Sequence, residues 1–541
     1  MKKTGKILCL LMVLAMLAGL SACGGGSGGG GDSGGGVVMN VAMGGDIISL
    51  DPAFAYDNET SVVVDQIAEG LLGHYSDNSL KCILAESWEA ADPVTYVYTL
   101  RQDVNFSDGS PMTADDVVFS ISRHMDEDFG SYFNWMFENV ASVEKTGEYE
   151  VTVNLEQPDA TWQYVLATSA GMIIKKDYCE EQGDDFGTSR GGMIGTGPFV
   201  YDSWQNGSKV VLKKNENYWD KSATTNIDQI VFSIITDDTT LLTALKNGQI
   251  DFCISYSNTL NSSIREISNV ELLGNASMEI TYLTFNVARE PFDDVNVRRA
   301  IACAIDLEAL HESVIQDTGT IGGPLPMTET LFTIEPERWK QYAATLPPHK
   351  FDLDMAKDYL SKSNVPDGFS CELITIRDSS LHYNAALVLQ EMLKAIDIEV
   401  EVTALGWDEF FAYMFGEEWD ENDVRDYDML VALWGSDYPD PSGNIDPLYA
   451  SFGIGEGGSN NASYSNPELD DLLDQASSSL DPAERVELLI QACDIIIEDM
   501  PYFIFNYPTT FVIVSKDYDY GDMAIFSAWD MNFKDMVYTG E

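Results

Sequence analysis

The sequence has 541 residues and a formal net charge of −58 at pH 7. Such an acidic chain does not supply the clustered lysine and arginine that phosphate binding needs, which excludes nucleic acid as a partner. Because 45% of the residues are hydrophobic and 11% aromatic, the chain is nevertheless globular, and its length allows two or three domains.

The N-terminus carries the pattern of a bacterial lipoprotein signal. Three lysines precede an apolar stretch over residues 7–20, which leads through two small residues to Cys23. The stretch is too short to span a bilayer comfortably. We expect residues 1–22 to be a signal peptide that is removed, and Cys23 to carry a diacylglyceryl anchor. An ordinary secretory peptide or a short membrane anchor is the alternative.

Residues 23–36 predict a flexible tether, because glycine and serine dominate them and form no packed core. No later segment resembles a transmembrane helix. We therefore expect the rest of the chain on the extracytoplasmic face of the cell membrane, at a Gram-positive surface or on the periplasmic side if there are two membranes. The remaining cysteines are scattered and indicate no disulfide or zinc framework, although bridges stay open as an alternative to buried thiols.

The first half of the chain predicts strands followed by a helix and a further strand. Segments rich in β-branched and aromatic residues predict strands at 96–100, 149–155 and 230–235. Asp237 or Asp238 then offers an N-cap for a helix through Lys246, which Gly248 ends before a strand at 250–254.

The second half predicts βαβ units. The predicted elements are a helix at 295–305, a strand at 372–376, a helix at 383–396, strands at 398–403 and 429–434, helices at 467–478 and 482–497, and a strand at 502–513. Alternation of this kind is typical of an α/β protein.

Catalytic motifs are weak throughout. The letters of a nucleophile elbow occur at 187–191, but polar residues precede them where a strand is required. The five histidines show no spacing that brings two of them to one metal ion. We therefore expect no enzyme, no catalytic residues, no cofactor and no metal site. The acidic run at 417–428 favours a solvated face over a calcium site.

Several ordered blocks resemble the family 5 extracellular solute-binding proteins, which capture oligopeptides, dipeptides and a few other solutes for ABC importers. The resemblance covers nearly all of the chain beyond the tether. The blocks lie at 50–52, 84–88, 96–101, 106–109, 113–120, 195–199, 245–251, 285–286, 291–298 and 464–470.

This resemblance implies an α/β, two-lobed, periplasmic-binding-protein-like fold with a two-strand hinge. The first lobe would span 37–285, with an extra domain at about 75–190. The second lobe would span 286–505, and residues 506–541 would return to the first lobe. The chain would cross between lobes near 285–287 and 505–508. Ligand would close the lobes, and a permease with ATPase subunits on separate chains would recognise the closed monomer.

The resemblance also implies a peptide-binding role for Asp437, which follows the predicted strand at 429–434. An aspartate at this place in similar peptide-binding members pairs with the α-ammonium group of the peptide, a charge-assisted bond that is independent of side chains. The alternative is an aspartate that forms a turn.

Around Asp437, the resemblance implies main-chain pairing with the ligand and an aromatic lining. The backbone of Trp434, Gly435 and Ser436 would pair with the peptide, opposite Tyr56, Asp57 and Asn58. Trp407 and Trp434 would line the pocket, and Tyr282 is a weaker candidate of the same kind. For these aromatics, packing in the interlobe core is the alternative.

The chain departs from the dipeptide-binding pattern, because Leu381 and His382 stand where an arginine would neutralise the ligand carboxylate. Arg377, four residues before Leu381, is a candidate to reach the site instead. Longer peptides end in variable places and need no fixed carboxylate partner, so we favour oligopeptides. Oligosaccharide, nickel chelate or haem as ligands, and a role as a peptide-sensing receptor, remain alternatives.

Overall fold

The computed structural model describes residues 36–416, 419, 424–455, 457–521, 523, 525 and 531–540. The predicted signal peptide, almost all of the predicted tether, the predicted lipidation site Cys23 and half of the acidic run at 417–428 lie outside the described residues. Residues 37–541 form one compact unit.

The first half of the compact unit contains twelve strands and six α-helices. In chain order they are β1 (Val37–Met43), α1 (Asn58–Asp65), β2 (Leu72–His74), β3 (Leu80–Cys82), β4 (Ala85–Asp92), β5 (Thr95–Leu100), α2 (Ala114–Ser122), β6 (Val140–Gly147), β7 (Glu150–Leu155), α3 (Trp162–Val165), α4 (Lys176–Gln182), β8 (Phe199–Gln205), β9 (Lys209–Lys214), β10 (Ile227–Ile234), α5 (Asp238–Lys246), β11 (Phe252–Cys253), α6 (Asn261–Arg265) and β12 (Val270–Ala276).

The second half is richer in helices. Its elements are β13 (Glu279–Phe285), α7 (Val295–Ala304), α8 (Leu307–Leu310), β14 (Gly319–Ile321), α9 (Pro336–Ala343), α10 (Leu353–Ser361), β15 (Phe369–Ile376), α11 (Ser380–Leu393), β16 (Ile398–Leu405), α12 (Trp407–Met414), β17 (Met429–Gly435), α13 (Ser442–Tyr449), α14 (Pro467–Ser478), α15 (Pro482–Asp499), β18 (Tyr502–Ser515), β19 (Tyr518–Asp519) and β20 (Val537–Tyr538).

Capping explains why several predicted helices are confirmed at their starts. The Asp237 side chain accepts a hydrogen bond from the Thr240 N–H at the start of α5. Asn466 and Asp481 cap α14 and α15, and each cap is followed by a proline at the first helical position. A capping side chain and a proline satisfy or remove backbone donors that would otherwise lack partners. The predicted βαβ unit is also confirmed, because β15 pairs in parallel with β16 around α11.

One large sheet runs through both lobes. Its strand order is β16-β15-β17-β13-β18-β11-β1-β10-β9-β8, and β12 and β14 also pair with β18. The long strand β18 pairs with β13 over residues 502–506 and with β12 over residues 509–515. The strands of the two lobes therefore meet along β18.

The first passage between the lobes lies earlier than predicted. All of β13 pairs with β17 of the second lobe, whereas β12 pairs with the part of β18 that adjoins β11. The passage thus falls at Ser277 and Met278, rather than at 285–287. The buried side chains of β13 are compatible with the core of either lobe. Only the strands that pair with β13 show to which lobe it belongs. The return passage falls between Pro508, which pairs with β14, and Thr509, which pairs with β12.

A separate antiparallel sheet, in the order β4-β5-β7-β6, lies within the region predicted as an extra domain. Its buried face includes Tyr96, Tyr98 and Val153, and these pack in one core with Phe137 and Trp162. Alternation of buried and exposed residues is typical of an antiparallel sheet with one covered face.

The central strands of the second lobe are covered on both faces. In β13, Ile280 and Tyr282 join one hydrophobic core, whereas Leu283 and Phe285 join another.

All six cysteines of the described part are free thiols. Among the described residues, none of the helices combines the length and apolar character that crossing a membrane requires.

Candidate ligand-binding cleft

A cavity of about 930 Å³ lies between the lobes. Tyr56, Trp135 and Glu138 of the first lobe line one side, and α12, the end of β17, α13 and the residues after it line the other. Its volume is near the upper end of the range of about 300–1,000 Å³ that is typical of ligand sites. The size and the position between two lobes indicate a binding cleft.

Asp437 lines this cleft two residues after β17 ends. The Tyr56 hydroxyl donates a hydrogen bond to Oδ1 of Asp437 at 2.7 Å, so the bond crosses from one lobe to the other. Burial raises the pKa of the Asp437 carboxyl to about 6, and the bond from Tyr56 opposes that shift. No lysine, arginine or histidine is among the described residues that line the cleft.

A buried ion pair supports the loop that carries Asp437. The Arg485 guanidinium of α15 donates to both carboxylate oxygens of Asp440 at 2.7 Å, and also to the Ser442 hydroxyl at 2.8 Å. Both charged side chains are almost completely buried. A two-pronged pair of this kind fixes geometry as well as charge. It therefore holds the turn after Asp437 against α15.

The same loop packs tightly against the start of α13. A Cβ atom on Gly443 would lie 1.8 Å from the Ser436 hydroxyl oxygen, so a larger residue there would displace that hydroxyl. The Trp434 indole N–H donates to the Gly443 carbonyl at 3.0 Å. These contacts orient Trp434 and Gly435 along the cleft, and they keep Ser436 buried beneath it.

On the first lobe, only the first of the three predicted residues lines the cleft. The Asp57 side chain caps α1 by accepting a hydrogen bond from the Thr60 N–H at 2.9 Å, and Asn58 is the first residue of that helix. Tyr56 reaches into the cleft just before this cap and packs edge-on against Phe133, with ring centroids 5.4 Å apart. Asp57 and Asn58 thus position Tyr56.

One wall of the cleft is an aromatic stripe on α12, formed by Trp407, Phe411 and the residue after the helix end, Phe415. Residues four apart lie on one helix face, and the ring centroids along the stripe are 5.4 and 5.7 Å apart. Trp135 faces the cleft from the first lobe and is 49% exposed.

Tyr282 lies elsewhere. It is fully buried in a core of the second lobe, and the Asn461 amide donates to its hydroxyl at 3.2 Å. Tyr282 does not line the cleft, so its described contacts are those of a core residue.

The segment where an arginine was sought adjoins the cleft lining at Arg377. Ile376 lines the cleft, and a Cβ atom on Gly406, the residue before Trp407, would lie 3.0 Å from the Arg377 guanidinium. His382 is buried and shares a hydrogen bond with the Ser379 hydroxyl, and Leu381 lines a different, smaller cavity. Arg377 is exposed beside Asp378. None of these residues lines the described part of the cleft.

With this geometry established, comparison with known proteins identifies the family. Residues 80–456 match the model of the bacterial extracellular solute-binding proteins, family 5 Middle. The chain belongs to this family. It is therefore a solute-binding protein of the kind that serves ABC importers. The members of this family are binding proteins rather than enzymes.

Relatives of this family 5 protein include the glutathione-binding protein GsiB of Salmonella typhi, 28% identical over 464 residues that cover 85% of this chain and 87% of that protein. Among solved structures, HbpA2 from Haemophilus parasuis has a TM-score of 0.81 at 24% identity, covering 93% of this chain and 99% of that one. DppA from Helicobacter pylori in complex with peptide STSA has a TM-score of 0.73 at 24% identity, covering 93% and 98%. These structures share the two-lobed fold.

Several cleft residues of this family 5 protein escaped sequence reasoning. The spacing of Trp407, Phe411 and Phe415 was visible and signalled a helical face. Trp135 and Glu138 lie far away in sequence, and no local pattern connects them with α12.

Within the part of the chain that the structure describes, no group of three or more metal-binding side chains is arranged to hold an ion.

Proposed function

We propose that this protein captures peptides with a free N-terminus and delivers them to an ABC importer whose permease and ATPase subunits are separate chains. The observation that carries the proposal is Asp437, a carboxylate in the interlobe cleft with a neutral hydroxyl as its hydrogen-bond partner and no base among the described lining residues.

The chemistry of Asp437 suits an ammonium group. Burial makes the ionised carboxylate costly, which is why its pKa rises to about 6. A ligand ammonium group would supply the opposite charge together with hydrogen bonds, and this combination compensates for desolvation better than the Tyr56 hydroxyl alone. Recognition of the α-ammonium group would report a free N-terminus regardless of the side chains.

An open strand edge beside Asp437 supports main-chain pairing with the ligand. One edge of β17 pairs with β13 along the whole strand, but the other pairs with β15 only at Met429 and Leu430. The remaining part, through Trp434 and Gly435, runs into the cleft. An extended peptide could add there as a further strand, which provides affinity without sequence preference.

The size of the cleft and the absence of a base from its described lining favour oligopeptides over dipeptides. A dipeptide places its carboxylate at a constant distance from Asp437, and a site for it would need a base at that distance. A longer peptide carries its carboxylate to a variable place. The family relatives support peptide ligands, since one is a glutathione-binding protein and one solved neighbour holds the peptide STSA.

Calorimetry tests this proposal with one oligopeptide and its N-acetylated form, titrated into wild type, Asp437→Asn and Asp378→Asn. Acetylation of the peptide and Asp437→Asn should each weaken binding by about a hundredfold, because both remove the charge-assisted bond. Asp378 is exposed and does not line the cleft, so Asp378→Asn is the matched control. Equal affinity for the acetylated peptide would contradict the proposal. Oligosaccharide binding that survives Asp437→Asn would identify a sugar-binding protein instead.

The location of the protein is a further part of the proposal. Residues 1–22 would be a signal peptide, Cys23 would carry the lipid anchor, and residues 24–36 would tether a monomeric binding protein outside the cell membrane. In labelled cells, Cys23→Ser should abolish fatty-acid incorporation and release the protein from the membrane. Retention of both the label and the membrane attachment would contradict the anchor.

A further inference from the structure

The charges along the cleft have one sign. Asp437 and Glu138 are the ionisable carboxyl groups among its described lining residues, and none of those residues is a lysine, arginine or histidine.

Arg425 lies close to this wall but does not offer its charge to a ligand. It is fully buried, and its guanidinium donates to the carbonyl oxygens of Met414 and Gly458, both at 2.9 Å. These bonds hold together the segments on which the cleft residues Phe415 and Gly457 lie. Arg425 is therefore part of the support behind the wall. Arg377 adjoins the lining residue Ile376, but its guanidinium already lies 3.6 Å from the Asp378 carboxylate. A ligand carboxylate would therefore meet no base among the described lining residues.

A carboxylate in this cleft would be destabilised for two reasons. It would lose hydration without gaining a compensating positive charge. It would also approach Asp437 and Glu138, and like charges at close range repel. Conversely, a positively charged side chain of the ligand could pair with Glu138 on the first-lobe side of the cleft.

The aromatic stripe supplies the second observation. Trp407 is 38% exposed and Phe411 40%, and Trp135 stands across the cleft with Glu138 three residues further along its short helical turn. Large exposed aromatic surfaces that converge on one cavity are unusual in a protein without a partner there. Side chains of matching size would remove this surface from water.

We propose that the cleft selects cationic, aromatic-rich peptides, with the stripe Trp407, Phe411 and Phe415 receiving large apolar side chains and Glu138 pairing with a lysine or arginine of the ligand. The cleft would not recognise the C-terminal carboxylate of the ligand. This selection deepens the proposed function and rests on it, because Asp437 is taken to hold the N-terminus.

A panel of synthetic tetrapeptides tests this selection by calorimetry with residues 37–541, the compact unit. The reference is Ala-Phe-Lys-Phe with a free N-terminus and a C-terminal amide. The free acid should bind no more tightly than the amide. Replacement of both phenylalanines by serine should weaken binding by about a hundredfold or more. Replacement of lysine by glutamate should weaken it by about tenfold.

Matched variants of the protein assign these preferences to residues. Glu138→Gln should reduce the discrimination between the lysine and glutamate peptides, whereas Glu127→Gln, on an exposed turn outside the cleft, should not. Phe411→Ala should weaken binding of the phenylalanine peptide, whereas Phe351→Ala, at a phenylalanine of similar exposure outside the cleft, should not.

The inference is overturned if the free acid binds about tenfold more tightly than the amide, if the serine or glutamate peptides bind as well as the reference, or if no peptide of the panel binds. The N-acetylated reference separates this failure from failure of the proposed function. If the acetylated peptide keeps full affinity while the side-chain preferences hold, the role of Asp437 fails and the selection by the cleft stands.

Discussion

Asp437 is a carboxylate in a cleft whose described lining residues include no base that could neutralise it. The carboxyl must be ionised to bind an ammonium group, and burial has moved its pKa to about 6. Its proton therefore competes with the ligand in a pH range where most carboxylates are already ionised.

Peptide affinity should follow a bell-shaped pH profile. As pH falls through about 6, Asp437 in the free protein becomes protonated and affinity should fall about tenfold per unit of pH. Above about pH 8 the α-ammonium group of the peptide loses its proton, and affinity should fall again. Calorimetry across this range measures both limbs. The acid limb should disappear in Asp437→Asn, and an unchanged limb there would assign the titration to another group.

Tyr56→Phe should move the acid limb to higher pH. The hydrogen bond from Tyr56 favours the charged form of Asp437, so its removal raises the pKa of the carboxyl further. At about pH 7.5 the peptide should bind a few-fold more tightly, because its ammonium group no longer displaces this bond. Tyr132→Phe is the control, since Tyr132 is exposed outside the cleft lining. An acid limb unchanged in Tyr56→Phe would contradict the direct contact.

Binding residues could be predicted from the sequence where their role depends on local context. Asp437 was identifiable because it follows an apolar strand within a block that resembles a known family. Trp135 and Glu138 were not, since they reach the cleft only through the placement of a separate sheet. Tyr282 was proposed from its place near the predicted hinge, but its side chain points into the core, and strand position does not reveal which face meets a ligand.

At the scale of elements, the loop after β17 depends on α15. Arg485 and Asp440 are both buried, so removing one partner leaves an uncompensated charge in the interior. The loop that carries Asp437 would lose its anchor at the same time.

Arg485→Met should therefore destabilise the protein and weaken peptide binding together. We expect a loss of about 3–5 kcal/mol in the free energy of unfolding, measured by urea titration with tryptophan fluorescence. Arg338→Met is the matched control, because Arg338 pairs with Glu487 of the same helix at the surface, and its unfolding midpoint should hardly change. Equal effects of the two substitutions would contradict the account of the loop.

Element bounds were predictable where capping chemistry is explicit, as at the starts of α5, α14 and α15. The passage between lobes was misplaced because strand pairing is a long-range property. Ser277 and Met278 carry no turn signal of their own, and the change of partner from β12 to β13 appears only in the assembled sheet.

At the scale of the whole molecule, contacts across the cleft describe a closed arrangement of lobes. Besides the bond from Tyr56 to Asp437, the Ala160 N–H donates to the Ser477 carbonyl at 2.8 Å, and the rings of Tyr164 and Tyr438 stack with centroids 5.8 Å apart. The Asn78 amide also donates to the Thr330 carbonyl at 2.8 Å, and the Tyr164 hydroxyl donates to the Thr333 hydroxyl at 3.3 Å. A ligand that contacts both lobes would add to these contacts and favour the closed arrangement.

Peptide should therefore shift the protein in solution towards this closed form. Small-angle X-ray scattering should show the radius of gyration falling by about 1 Å from a value near 23 Å when peptide is added. Asp437→Asn should show no decrease at the same peptide concentration. If the radius of wild type stays constant on saturation, the lobes do not close on the ligand.

Native mass spectrometry of residues 37–541, purified from cells grown in peptide-rich medium, tests the central claim most directly. The account predicts co-purified peptides of several lengths, all with free N-termini, that fragmentation identifies after release. Asp437→Asn should carry none of them. A single sugar, a metal chelate or a peptide with a blocked N-terminus would contradict the account and return Asp437 to the role of a turn residue.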